Sequence, residues 1–177
     1  GPGTTTSSID TRTVKSLLLN GALKPTGWTH TTTAPLDTRY GSGVLNVFNS
    51  YRQLAAGKMP FVESTAVSAG AAHPPGANSA NLQLVGWDMN TIASTVLQDR
   101  VNHYYFNLPA SGGGLFTFTA TLVWNRPVAQ SAANNLDLFL YNVGTGSAVA
   151  SSVSSVDNVE HIYFTNLVAG RYDLQVL

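Results

Sequence analysis

Two periodicities divide this chain. Up to about residue 57 the apolar positions recur at helical spacing, and from about residue 81 they alternate with polar ones. Val14, Leu17 and Leu18 form an apolar stripe after Asp10, which stands where an N-cap belongs, and Gly21 stands where a C′ glycine would close the helix. A second helix is predicted over 46–56, with Val47, Phe48, Tyr51, Leu54 and Ala55 facing inward and Gly57 as its stop. Between the two, Pro25, Gly27, Pro35, Gly41 and Gly43 punctuate a loop. Residues 58–80, rich in Ala, Gly and Pro (His73-Pro74-Pro75-Gly76), suit neither a helix nor a sheet interior and read as a linker.

Beyond it, Phe116, Phe118, Ala120, Leu122 and Trp124 alternate with Thr117, Thr119, Thr121 and Val123, the pattern of a half-buried strand. Leu136, Leu138 and Leu140 share one face of the next run. Ile162 with Phe164, and Tyr172 with Leu174 and Val176, give two more. Weaker strands are predicted over 82–88 and 102–108. Turns fall between them at Gly112-Gly113-Gly114, Asn134-Asn135, Gly144-Thr145-Gly146 and Ala169-Gly170. The expected fold is therefore mainly β: an antiparallel, jelly-roll-like β-sandwich over 81–177, preceded by two short α-helices within 1–57 and a linker over 58–80. Two short helices cannot bury much surface alone. In an isolated chain they should expose Val14, Leu17, Leu18, Phe48 and Tyr51, or cover them with a partner.

Composition narrows the options. Hydrophobic residues make up 44% of the 177, enough for a packed core, while charged residues are only 10% and the formal net charge is zero. Ser, Thr, Asn and Gln must supply the polar surface, which suits exposed strand faces. With Lys and Arg scattered, no nucleic-acid surface is expected. No stretch approaches the length of a membrane span. Cysteine is absent, which excludes disulfides and thiolate chemistry and fits a bacterial exported protein. Gly1-Pro2 reads as the scar of a cleaved tag, so any export signal is expected ahead of residue 1.

Two stretches carry a resemblance. Val14-Lys15-Ser16-Leu17-Leu18-Leu19-Asn20-Gly21-Ala22 resembles the subtilase helix that follows the nucleophile helix. Tyr40-Gly41-Ser42-Gly43-Val44-Leu45-Asn46-Val47 resembles the Tyr-Gly-x-Gly-x-(Ile/Leu)-Asn segment that opens the last helix of the subtilase catalytic domain. The second half is similar to the C-terminal β-sandwiches of bacterial subtilases, including the pre-peptidase C-terminal type. Leu122-Val123-Trp124, Asn134-Asn135-Leu136-Asp137-Leu138, Asn158-Val159-Glu160 and 169–176 carry that likeness. The nucleophile segment Gly-Thr-Ser-x-Ala-x-Pro, and the catalytic Asp and His segments, do not occur in this chain. The resemblance thus implies the non-catalytic C-terminal region of a secreted or cell-surface subtilisin-like serine endopeptidase, with 1–57 a helical remnant of its catalytic domain and 81–177 its C-terminal β-sandwich. Its partner would be the upstream catalytic domain of the same polypeptide, which it would stabilise, or whose access to a protein substrate it would shape.

The residue inventory suggests little independent chemistry. His30, His73, His103 and His161 lie in loops or at the starts of strands, and no serine sits in a Gly-x-Ser-x-Gly elbow, so no catalytic residues are assigned. Zinc would need clustered His, Asp or Glu, which the spacing does not give. Calcium is the cofactor the sequence could accommodate, with Asn135 and Asp137 at one turn–strand junction and Asp157, Asn158 and Glu160 at another; such residues also cap turns for purely local reasons. Of the aromatics, alternation puts Trp124 on the buried face with Phe118 and Leu122. It leaves Trp87 and Tyr105 as candidate platforms for a polysaccharide in the alternative reading, a free-standing carbohydrate- or cell-surface-binding module.

Overall fold

The structure is a computed structural model describing residues 6–63, 80–92, 101–111 and 113–177. After a single 3-10 turn (Thr6–Ser8) come α1 (Thr11–Gly21) and α2 (Val47–Ala56). The strands are β1 (Val62–Glu63), β2 (Asn102–Leu108), β3 (Phe116–Val123), β4 (Leu138–Asn142), β5 (Ala148–Ser152), β6 (Val159–Leu167) and β7 (Gly170–Val176). They form two antiparallel sheets, one in the order β1-β2-β7-β4-β5 and one of β3 with β6. The chain is thus a mainly β antiparallel sandwich preceded by helices, as the alternation implies. The core lies between the layers, where Leu138, Leu140, Ile162, Leu167 and Tyr172 are almost wholly buried and Phe106 stacks on Phe118.

The alternating runs land where expected, with three differences. Residues 82–88 form no strand. They make single bridges, Leu82 to Phe106 and Trp87 to Lys58. Within 58–80, Val62–Glu63 pairs with the start of β2, and residues 64–79 lie outside those described. The hairpin around Gly144-Thr145-Gly146 yields β5, whose Ala-Val-Ala-Ser-Ser sequence carries almost no apolar alternation.

Asp10 does cap α1, its carboxylate accepting from the Arg12 N–H at 2.9 Å, and Asn46 caps α2 by accepting from the Asn49 N–H at 3.0 Å. Gly21 is the last helical residue of α1 and not its C′ glycine. It is glycine because α2 presses on it: a Cβ there would lie 2.5 Å from Ser50 Oγ and 2.9 Å from the Ser50 backbone nitrogen. Gly43, at φ +115°, lets the chain bend so that Val44 pairs with Leu23.

Candidate interaction surface

α2 is amphipathic in the wrong sense for a free-standing domain. Helical spacing puts Val47, Tyr51 and Ala55 along one side with Phe48 beside them, and all four are exposed: Val47 at 64%, Phe48 at 68%, Tyr51 at 63%. The inward side carries Asn49, Ser50 and Gln53. Asn49 Nδ2 donates to the Gly21 carbonyl at 3.2 Å, and Ser50 is packed against Gly21. Four of the five apolar residues expected to face inward are therefore exposed and Leu54 is half-buried, because the small and polar side is what fits the end of α1. Leu23, Val44 and Leu45 are also exposed, and the Leu23–Val44 bridge sets them just ahead of α2, so an apolar ridge runs from the loop onto the helix. On α1, Val14 and Leu18 are exposed, whereas Leu17 turns inward and is buried. A contiguous apolar ridge of this kind is unusual on the surface of a single domain.

Beneath the ridge, one side chain ties three elements together. Asn20 Oδ1 accepts from Thr119 Oγ1 at 2.7 Å and from Thr121 Oγ1 at 3.0 Å on β3, while its Nδ2 donates to Gln53 Oε1 on α2 at 2.7 Å. Thr121 also meets His161 Nδ1 on β6 at 2.7 Å. Burial, and then the positive charge of Lys24, holds the His161 imidazole down at about 3, so it is neutral. Lys24 donates to the Ser42 carbonyl at 2.6 Å and lies over the rings of Trp28 and Tyr163; burial brings its ammonium down to about 8. The 23–44 loop is anchored by Asp37, whose carboxylate accepts from the backbone N–H groups of Thr29, Arg39 and Tyr40, which lower its pKa to about 2. Trp28 Nε1 donates to the Gly41 carbonyl at 2.8 Å, closing the loop onto the glycine bend.

The calcium candidates are only partly assembled. Glu160 is buried facing the core, where Ser152 Oγ and the Ser154 N–H (2.7 Å) donate to it. Burial is the main reason its carboxyl is pushed up to about 7, and Asp137 and Asp157 add to this through their charge. Asp157 accepts from Ser154 Oγ at 2.8 Å, and Asn158 donates to the Trp124 carbonyl at 2.8 Å. Asn135 reaches only its neighbour Asp137, at 3.4 Å, and the Asp137 backbone pairs with Leu177. Among the described residues no three His, Asp or Glu gather as a metal's ligands would.

Neither proposed sugar platform is open. Trp87 is 5% exposed, its Nε1 donating to the Leu54 carbonyl, and Tyr105 is 3% exposed, stacked on His103 with Arg171 over its ring. Trp124 is buried as alternation requires, and donates to the Asn134 carbonyl at 2.7 Å. The sequence reasoning missed a buried pair. His103 Nδ1 lies 2.7 Å from Asp173 Oδ2, which also accepts from Gln175 Nε2 at 2.8 Å. Its signal was present: His103-x-Tyr105 and Asp173-x-Gln175 place polar groups on alternate positions of β2 and β7, which pair in register with Tyr105 opposite Asp173.

These features describe a β-sandwich bearing a helical pair whose apolar side is exposed. No helix among the described residues is long and apolar enough to cross a membrane. Among known proteins, no family model and no curated sequence matches the chain.

Proposed function

We propose that the chain is the non-catalytic C-terminal region of an exported subtilisin-like serine endopeptidase, docked through its helical half onto the upstream catalytic domain. The inverted α2 carries the proposal. A helix that turns Asn49, Ser50 and Gln53 inward and Val47, Phe48 and Tyr51 outward is stable in water only at the cost of exposed apolar area, and a covering domain removes that cost. Supporting it, the two subtilase-like segments fall on real elements. The first is α1. The second is the Gly41–Gly43 bend followed by the Asn46 cap of α2. Docking would stabilise the catalytic domain while the sandwich helps bring protein substrate to it.

The decisive test is chemical and genetic. The chain incubated with casein and a fluorophosphonate probe is expected to give no turnover and no labelled serine, and the natural reading frame is expected to encode a Gly-Thr-Ser-x-Ala-x-Pro segment within a few tens of residues ahead. A labelled serine in this chain, or a frame without that segment, overturns the proposal.

A further inference from the structure

A cavity of about 420 Å³ opens beside β3, and its lining has an unusual order. Every residue from 116 to 122 contributes to one wall, with Ser16, Leu17 and Asn20 of α1 beside it, and every residue from 82 to 88 to the other, while Phe106, Leu138 and Leu174 also line the space. Successive side chains of a strand point to opposite faces. A space lined by seven consecutive strand residues must therefore run along the strand's edge, against its main chain. Among the described residues β3 pairs only with β6, so this edge is open.

The ladder shows which groups face the slot. The Trp124 N–H donates to the Asn158 carbonyl, so the pairs two apart from it (Leu122 with Glu160, Ala120 with Ile162, Phe118 with Phe164) exchange bonds with β6. The intervening residues turn away. The N–H of His161, opposite Thr121, accordingly goes to Ser152 Oγ. Thr119, Thr121 and Val123 hence direct their N–H and C=O groups toward the slot side of β3, while the hydroxyls of Thr119 and Thr121 are committed to Asn20. Asp88 is the lone carboxylate of the lining, and it is engaged by Tyr104 at 2.8 Å and Lys58 at 3.5 Å.

We propose that this slot binds an extended, uncharged stretch of polypeptide as an added strand on β3. Main-chain hydrogen bonds to Thr119 and Thr121 would hold it, and its alternate apolar side chains would fill the space over Phe106, Leu138 and Leu174. The chemistry matches on each count: an open row of alternating donors and acceptors, apolar walls, and no cation or unpaired carboxylate for a charged ligand. Seven residues of wall accommodate a strand of about 20 Å. The proposal goes beyond the docking role and stands whether or not a peptidase lies upstream.

The probe is a fluorescein-labelled, end-capped nine-residue peptide alternating Val and Ser, titrated into the full chain by fluorescence anisotropy. Saturable binding is expected. N-methylation of one alternate set of amides should weaken it at least tenfold, while methylating the other set changes little, because an added strand bonds β3 along one edge. Leu84→Glu, at an exposed position on the opposite wall, should weaken binding by a similar factor with an unchanged melting temperature. Thr119→Pro, which removes a slot-facing N–H and no bond to β6, should also weaken binding at least tenfold, with a lower melting temperature because the hydroxyl bonded to Asn20 goes with it. Absence of saturable binding at millimolar chain, or equal binding of both methylated peptides, overturns the proposal. So does a dimer in sedimentation that Thr119→Pro disperses, since a second copy would then be the occupant.

Discussion

The two halves of this molecule distribute apolar residues in opposite ways. In the sandwich, Leu140, Ile162 and Tyr172 are enclosed between two sheets, and even the carboxyl side chains of Glu160 and Asp173 are buried with partners. In the helical half, the contact between α1 and α2 is made by Gly21, Ser50, Asn49 and Gln53, and the apolar side chains stand in solvent. The first half has its own core. The second is held to the first by the Asn20 hydrogen bonds, by buried Leu17 and by Trp28 against His161 and Tyr163, and its remaining apolar face is exposed.

That contrast can be broken by substitution. Leu140→Ala empties a site at the centre of the sandwich and should cost about 2–5 kcal/mol by chemical denaturation; a cost below 1 kcal/mol would mean the layers are not closely packed there. Glu160→Gln tests burial through pH. Because the native carboxyl titrates near 7 instead of 4.5, the unfolded chain releases its proton first, and wild-type stability is lost to this group as pH rises from about 4.5 to 7. His161 acts oppositely, adding stability as pH rises from about 3 to 6.5, so the two offset each other between about 4.5 and 6.5. Glu160→Gln removes the offset, and denaturation at pH 8 should find the variant more stable by up to about 3 kcal/mol; identical pH profiles would show that Glu160 is not held protonated.

Gly21→Ala forces α2 away from α1 and should cost about 1–3 kcal/mol, with proteolysis appearing first within 23–57. Phe48→Ser sits at the other extreme. In the chain alone it should change stability by no more than about 0.5 kcal/mol while reducing binding of a hydrophobic dye, whereas with the proposed catalytic domain attached the same change should lower the melting temperature. A large loss in the chain alone would show that Phe48 is already packed.

The strands were legible because alternation is a local signal: Phe116 to Trp124 and Tyr172 to Val176 each declare a buried face. β5 was not, because Ala148 to Ser152 is defined by its position beside β4 and carries hardly any apolar residue of its own. Both helices and their N-caps were readable, but the end of α1 beyond Gly21 and the orientation of α2 were not. Its amphipathicity gives the direction of the apolar face without saying whether this chain supplies the cover. The Asn20 network depends on contacts 99 to 101 residues apart, which no spacing rule reaches; for His103 and Asp173, 70 residues apart, alternation marks polar positions on each strand but not which strands pair.

Asn20 has a consequence for any attempt to dissect the protein. Cutting the chain between its helices and its sheets would leave the hydroxyls of Thr119 and Thr121 facing a void where an amide oxygen had been, and would bare the outer side of β3 along with them. A fragment beginning near residue 81 would have to remake that face with water, so the boundary suggested by the change of periodicity is not a place where the molecule comes apart cleanly.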